Sequence, residues 1–124
     1  MAVPLLPLSE ALMRQVNLVL IGRDYIASDG SFTLSTGILN RDPIRLGSSA
    51  AMVNGAIDSF VKAAAMEMRN KVRINSVSPT VITEALDSYG PYFRGYAHVD
   101  ADKAALAYSK SVEGMQTGQT YIVN

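Results

Sequence analysis

The sequence predicts an α/β fold in which crossover helices join a parallel sheet of about three strands. Helical spacing of apolar residues gives way three times to short β-prone runs, at 31–35, 72–78 and 118–123. Strands that alternate with helices in this way are typical of parallel sheets, because each return to the same edge needs a crossover. Of the 124 residues, 48% are hydrophobic and 18% are charged, which suits a buried core in one domain or part of one.

The first helix is predicted from Ser9, a plausible N-cap, to about residue 27. Its helical spacing comes from Leu12, Val16, Val19 and Leu20. The dipeptide "DG" at 29–30 then predicts a turn into the strand "SFTLS".

The second helix is predicted from Ser48 or Ser49 to Asn70. Its apolar residues cover more than one face, which predicts burial on two sides. Small residues such as Gly55 would let another helix approach closely. Two interpretations stay open: burial inside a larger domain, or a helix pair between subunits.

The rest of the chain alternates in the same way. The stretch "VRINSVS" predicts a strand with polar Arg73 and Asn75 on its outer side, ended by Pro79. An irregular aromatic segment fills 80–99, and a helix capped by Asp100 or Asp102 leads to about residue 114. The run "GQTYIV" then predicts the last strand.

Composition excludes several classes of function. Eleven basic and eleven acidic residues give no net charge, so neither nucleic acid nor an anionic membrane is an expected partner. Without cysteine the chain has no disulfides, no thiolate nucleophile and no zinc–thiolate site, and no metal is expected. No signal peptide is evident in "MAVPLLPLSEAL", so we expect a cytoplasmic protein.

Four stretches together resemble one enzyme family. They are "RQVNLVLIG", "GSFTLSTG", "AMVNGAIDSFVKAAAMEMRNKVRINSVSPTVIT" and "TGQTYIVN". The chain is similar to the C-terminal portion of a small, divergent short-chain dehydrogenase/reductase, from about residue 10 to 124. The resemblance implies a partial Rossmann-like doubly wound parallel sheet, with residues 1–124 as the C-terminal part of the domain. It also implies an NAD(P)-dependent oxidoreductase of a small carbonyl or alcohol substrate.

The glycine-rich turn that cradles the cofactor pyrophosphate in this family is missing. The nine glycines are scattered and follow no suitable strand. We therefore expect NADP or NAD to be bound by a full-length parent, and this chain to be a fragment or truncated product that binds neither tightly.

The family's catalytic residues are also largely missing. It uses Asn, Ser, Tyr and Lys, and the resemblance places Asn17 on the first of these. Gly37 falls on the Ser position, with Thr36 as the nearest hydroxyl, while Ala50 and Asn54 fall on the Tyr and Lys positions. Ala50 has no proton to transfer, and Asn54 can bond a ribose hydroxyl but carries no charge. Asn17 and Thr36 are thus the candidate catalytic residues.

Binding residues are implied on two further segments. The resemblance assigns cofactor contacts to Asn54 and to four residues after the second strand, Pro79, Thr80, Val81 and Thr83. It places a substrate loop at 87–98, with Tyr89, Tyr92, Phe93 and His98 as candidates. Tyr92 or His98 could serve as an acid; alternatively, these side chains only pack the loop on the sheet.

Two functions follow, of different kinds. One is the oxidoreductase; the alternative is a non-catalytic relative that acts as a dimerising or binding module. In either case the resemblance implies a homo-oligomer through the helices at about 10–27 and 48–69.

Because the pyrophosphate cradle is missing, titration of the purified chain with NADP or NAD should show weak binding or none. Isothermal titration calorimetry checks this expectation, with the intact mass measured on the same sample. Micromolar or tighter affinity would contradict it and would indicate a cofactor held across subunits.

Overall fold

The computed structural model describes residues 5–124, with side chains from residue 7 onward. Three strands form one parallel sheet in the order β1-β2-β3: β1 (Ser31–Ser35), β2 (Arg73–Pro79) and β3 (Thr120–Val123). Ser31 lies opposite Arg73. The predicted α/β fold with a parallel sheet is confirmed.

Four α-helices accompany the sheet: α1 (Leu5–Gly22), α2 (Ser48–Ala65), α3 (Leu86–Tyr89) and α4 (Ala101–Glu113). No helix among the residues that the structure describes is long and apolar enough to cross a membrane.

The helices cover both faces of the sheet. Phe32 and Leu34 of β1 join a core with buried residues of α1 and α2, such as Val19 and Ile57. Thr33, between them, instead bonds to α4. Since successive residues of a strand point to opposite faces, α1 and α2 lie on one side and α4 on the other.

The first helix begins earlier and ends earlier than predicted. The expected N-cap at Ser9 is wrong, because the helix already runs from Leu5 and includes Pro7. Proline is tolerated in a first turn, where the backbone N–H groups have no partner within the helix. The helix ends at Gly22, whose carbonyl accepts bonds from the N–H groups of Tyr25 and Ile26, so the predicted end near residue 27 is also wrong.

The second helix begins at Ser48 as predicted but ends at Ala65, not near residue 70. Asn70 and Lys71 have φ angles of 56° and 59°, which no α-helix allows, and they turn the chain into β2. Burial of a second side of α2 is not seen within the single chain, and it stays a prediction that depends on a surface outside the chain. The buried residues Val53, Ile57, Val61 and Ala64 form one stripe, and Met52 on the opposite side is 56% exposed.

The central strand is buried on both faces, where alternation predicted one polar face. Asn75, Ser76 and Ser78 are fully buried along with the apolar residues of β2. No buried side-chain nitrogen or oxygen lacks a hydrogen bond in the described part of the chain. The outer face expected for Arg73 and Asn75 is covered by α4, which places β2 between two helix layers.

The segment 80–99 contains α3 and two short 3-10 turns, at Thr83–Ala85 and Gly90–Tyr92. The helix α4 follows Asp100, one of the two predicted caps, but the side chain of Asp100 does not bond to the helix. Instead, the N–H of Ala101 donates to the carboxylate of Glu84 at 3.1 Å.

Candidate functional site

The candidate site lies at the carboxyl ends of β1 and β2. In open α/β sheets, ligands bind outside these ends, because loops diverge there and leave a crevice. The loops at 36–47 and 80–99 and the N-terminal half of α2 surround this end of the sheet.

Gly37 and Asn54 face each other in this crevice, the groove at the carboxyl ends of β1 and β2. A Cβ atom at Gly37 would lie 3.1 Å from Nδ2 of Asn54 and 3.8 Å from the carbonyl of Pro79. The side-chain hydroxyl of Thr36 donates to the backbone carbonyl of Asn54 at 3.2 Å. The structure thus gathers four of the predicted positions, although the Thr36 hydroxyl already has a partner within the protein.

Ala50 lies one helical turn before Asn54, at the wall of an apolar cavity of about 380 Å³. The first helix, the loop at 44–47 and the segment after β2 also contribute walls, through Leu8, Ile44, Leu46, Val81, Ile82 and Ala85. Three predicted substrate-loop residues, Tyr89, Tyr92 and Phe93, also line the cavity. The assignment of Ala50 to the family's tyrosine position stays a prediction from the resemblance.

The fourth loop residue, His98, lies outside this cavity. Thr83 Oγ1 donates to the carboxylate of Asp100 at 2.7 Å and lies 2.8 Å from Nδ1 of His98. Because the hydroxyl has only one hydrogen, it accepts from His98, which places a proton on Nδ1. Thr83 and His98 therefore hold one another at the exposed start of α4.

The two predicted cofactor residues that follow Pro79 are tied to the fold. The N–H of Thr80 donates to Val123 at 2.9 Å, and its hydroxyl donates to the carbonyl of Ala97 at 2.9 Å. Val81 is buried and lines the apolar cavity. The hydroxyls of both Thr80 and Thr83 are thus used within the protein.

Asn17 lies on the exposed face of α1, beside Arg14, Leu18 and Ile21. The structure does not place it among the residues that line the apolar cavity. Its catalytic assignment stays a prediction from the resemblance. Its neighbour Gln15 does reach the site end of the sheet, where its amide bonds to both the N–H and the carbonyl of Ser35, at 2.8 and 3.1 Å.

Arg41 and Ser78 form a clamp that sequence reasoning missed. Arg41 donates from Nη2 to the hydroxyl and to the carbonyl of Ser78, both at 2.9 Å. The hydroxyl of Ser78 donates in turn to the carbonyl of Gly37 at 2.9 Å. The sequence carries little signal for this contact, because "NRDP" has the composition of a solvated loop. The clamp fixes the loop after β1 to the end of β2.

Tyr96 secures the same loop from the other side. Its hydroxyl donates to the carbonyl of Pro43 at 2.6 Å and approaches the Asp42 carboxylate at 3.2 Å. Desolvation, and then the bond to Asp42, raise the pKa of Tyr96 above its ordinary value. Tyr96 is therefore a structural donor and a poor acid.

The clamp leads to a stability prediction. Arg41→Ala should lower the free energy of unfolding by about 1–3 kcal/mol, because it removes charge-assisted bonds to a buried serine and its carbonyl. Urea denaturation followed by circular dichroism measures the change. Arg45→Ala is the matched control, since Arg45 is exposed and makes no hydrogen bond or ion pair within residues 7–124. Equal stability of the two variants would show that the clamp contributes nothing.

Comparison with solved structures finds proteins with the same fold as this chain. No protein-family model and no curated protein matches the chain. Among solved structures, the protein lin1944 from Listeria innocua is 53% identical, with a TM-score of 0.87 over 89% of this chain and 55% of its own. A small-chain dehydrogenase in complex with NADPH is 25% identical, with a TM-score of 0.77 over 89% of this chain and 56% of its own. Acetoin dehydrogenase YohF from Salmonella typhimurium is 19% identical and shares the fold, with a TM-score of 0.69 over 98% of this chain and 55% of its own.

The chain spans just over half the length of these solved structures. They align with a three-stranded parallel sheet covered by helices on both faces, and the groove lies at the carboxyl ends of its strands. The chain has the Rossmann-like α/β fold of short-chain dehydrogenases/reductases, over part of their length.

Proposed function

We propose that the chain forms the substrate-side half of an NADP(H)-dependent oxidoreductase that acts on small carbonyl compounds or alcohols. The observation that carries this proposal is the meeting of Gly37, Asn54 and Pro79 beside the apolar cavity at the end of the sheet. A structural relative, the small-chain dehydrogenase, was solved in complex with NADPH, which supports the choice of cofactor.

Two groups of this chain fit the nicotinamide end of such a cofactor. The amide of Asn54 lies in the groove, where it can donate to or accept from a ribose hydroxyl. The N–H of Ile82 makes no hydrogen bond within the described chain, so a donor stays available beside the cavity. When bound, NADP(H) supplies the hydride. The residues of this chain would hold the substrate and exclude water.

The proton must come from a group other than the family's tyrosine. Tyr92 lines the cavity, is 50% exposed, and makes no hydrogen bond to a described residue. Its hydroxyl is therefore available to a ligand, whereas that of Thr36 is occupied. We assign Tyr92 the role of proton donor to the substrate oxygen, and we keep Asn54 as the group that orients the ribose.

A chimera tests this function. On the proposal that this chain corresponds to the C-terminal half, an N-terminal segment of the lin1944 protein would be fused ahead of residue 5. The chimera should oxidise NADPH in the presence of an aromatic ketone, measured as the loss of nicotinamide absorbance. Tyr92→Phe should lower kcat by about a hundredfold or more, because general acid catalysis contributes on that scale.

Tyr25→Phe is the control for the loss of a hydroxyl, since Tyr25 is 84% exposed and lies outside the groove. Wild-type turnover by the Tyr92→Phe chimera would reject Tyr92 as the donor. A folded chimera that binds NADPH but reduces no ketone would favour the second function below.

The second function is a dimerising module without catalysis. It is favoured by large apolar side chains that are exposed on both helices of the α1–α2 pair. Leu18 and Ile21 of α1 are 60% and 65% exposed, and Met52 of α2 is 56% exposed. Met66, just after α2, is 89% exposed. Side chains of this size, gathered on two packed helices, are typical of an interface.

The dimer gives a prediction with a matched control. The wild-type chain should form a two-fold dimer, and Ile21→Glu should convert it to a monomer by placing a charge in an apolar interface. Leu106→Glu should not, although Leu106 is 71% exposed, because it lies on α4 at the opposite face of the sheet. Light scattering measures the mass of each variant. A protein concentration on the order of tens of micromolar suits a dimer with a micromolar dissociation constant. A monomeric wild type would contradict the proposed interface.

A further inference from the structure

We infer that the cavity beside Ala50 binds the apolar body of a carbonyl compound, such as an aromatic ring system or a branched chain, in the space that a tyrosine side chain would fill. The carbonyl part of this statement rests on the proposed oxidoreductase function. The apolar part stands on the cavity itself.

The chemistry of the walls sets the class of ligand. The described residues that line the cavity include no carboxylate, carboxamide, imidazole or aliphatic hydroxyl. Among these described residues only Arg45 carries a charge, and Arg45 is exposed to solvent. Polar groups buried without partners cost free energy, and besides Arg45 the lining side chains offer only the hydroxyls of Tyr89 and Tyr92, so a sugar would leave most of its own hydroxyls unpaired here. The enclosed part of the ligand must therefore be apolar.

The size of the cavity sets the scale of the ligand. A volume of about 380 Å³ lies at the small end of the range for small-molecule sites. Ala50 contributes to this volume, because it lines the cavity from α2 with a single methyl group, whereas a larger side chain would take up part of the space. A fused two-ring body is a suitable probe.

The backbone at the cavity wall supports a binding role. Leu46 has a φ angle of 67°, in the left-handed region that bulky residues rarely adopt. Its loop nevertheless places the side chain against the cavity, together with Ile44. Strain of this kind persists where the surrounding structure holds it, and it is concentrated at ligand sites.

The test uses 2-acetonaphthone, a neutral aromatic ketone with two fused rings, titrated into the purified chain without cofactor. Ligand-observed NMR follows binding, and glucose serves as a polar compound of similar size that should not bind. Ala50→Phe should weaken binding of the ketone at least tenfold by filling the cavity. Ala105→Phe, at an exposed position of α4, should leave it unchanged.

Circular dichroism establishes that each variant is folded. Should Ala50→Phe fail to fold, Ala50→Val gives a smaller filling group and should cause a smaller but measurable loss. No binding by the wild type, or equal binding by the Ala50 variants, would overturn the inference. Because the titration needs neither NADPH nor turnover, ketone binding by a chain whose chimera is inactive would retain the cavity and reject only the oxidoreductase function.

Discussion

The structure depends on a central strand, β2, whose polar side chains are buried and hydrogen-bonded. The side chain of Asn75, fully buried in β2, donates to Ser111 and to the carbonyl of Gln116, and accepts from the N–H of Gln119. One side chain thereby joins the strand, the end of α4 and the turn into β3. An amide left unpaired at this depth would lower the free energy of unfolding by about 1–3 kcal/mol, the range found for buried polar groups in proteins. The network fixes the relative positions of the elements that end at the groove.

Ser78 is a second buried polar residue of β2 whose hydrogen bonds are satisfied, and it lies at the candidate site. Its hydroxyl connects the guanidinium of Arg41 with the carbonyl of Gly37, so the loop after β1 is anchored at a buried point. The base of the site is consequently anchored to the sheet by side-chain bonds, and the segment 80–99 contributes its other walls. An anchored base with walls from a separate segment is the arrangement on which substrate positioning depends.

The sequence was sufficient for the fold because its signals are local and repeated. Helical spacing predicted α2 from Ser48, and the β-prone run "SFTLS" predicted β1 at the observed residues. It was insufficient where tertiary contacts decide. Asn75 looked like an outward-facing polar residue, since nothing local indicates the partner Gln119, which is distant in sequence. Arg41 looked like a solvated loop residue for the same reason. The cavity could be predicted only in part: the aromatic loop was evident, but Ala50 lines the same cavity only because of how α2 packs.

Gln15 gives the open side of the sheet a defined end. Directly after β1, the N–H of Thr36 donates to the carbonyl of Val77 in β2, so the backbone groups of Ser35 point away from β2. The amide of Gln15 takes both of those groups, as a residue of a neighbouring strand would. A strand that joined β1 on this side could pair beside Ser31 and Thr33, but would have to stop or displace the amide at the next position. Through Gln15, α1 therefore limits how far along β1 an added strand can pair. The crevice at the carboxyl ends of the strands stays free of added backbone.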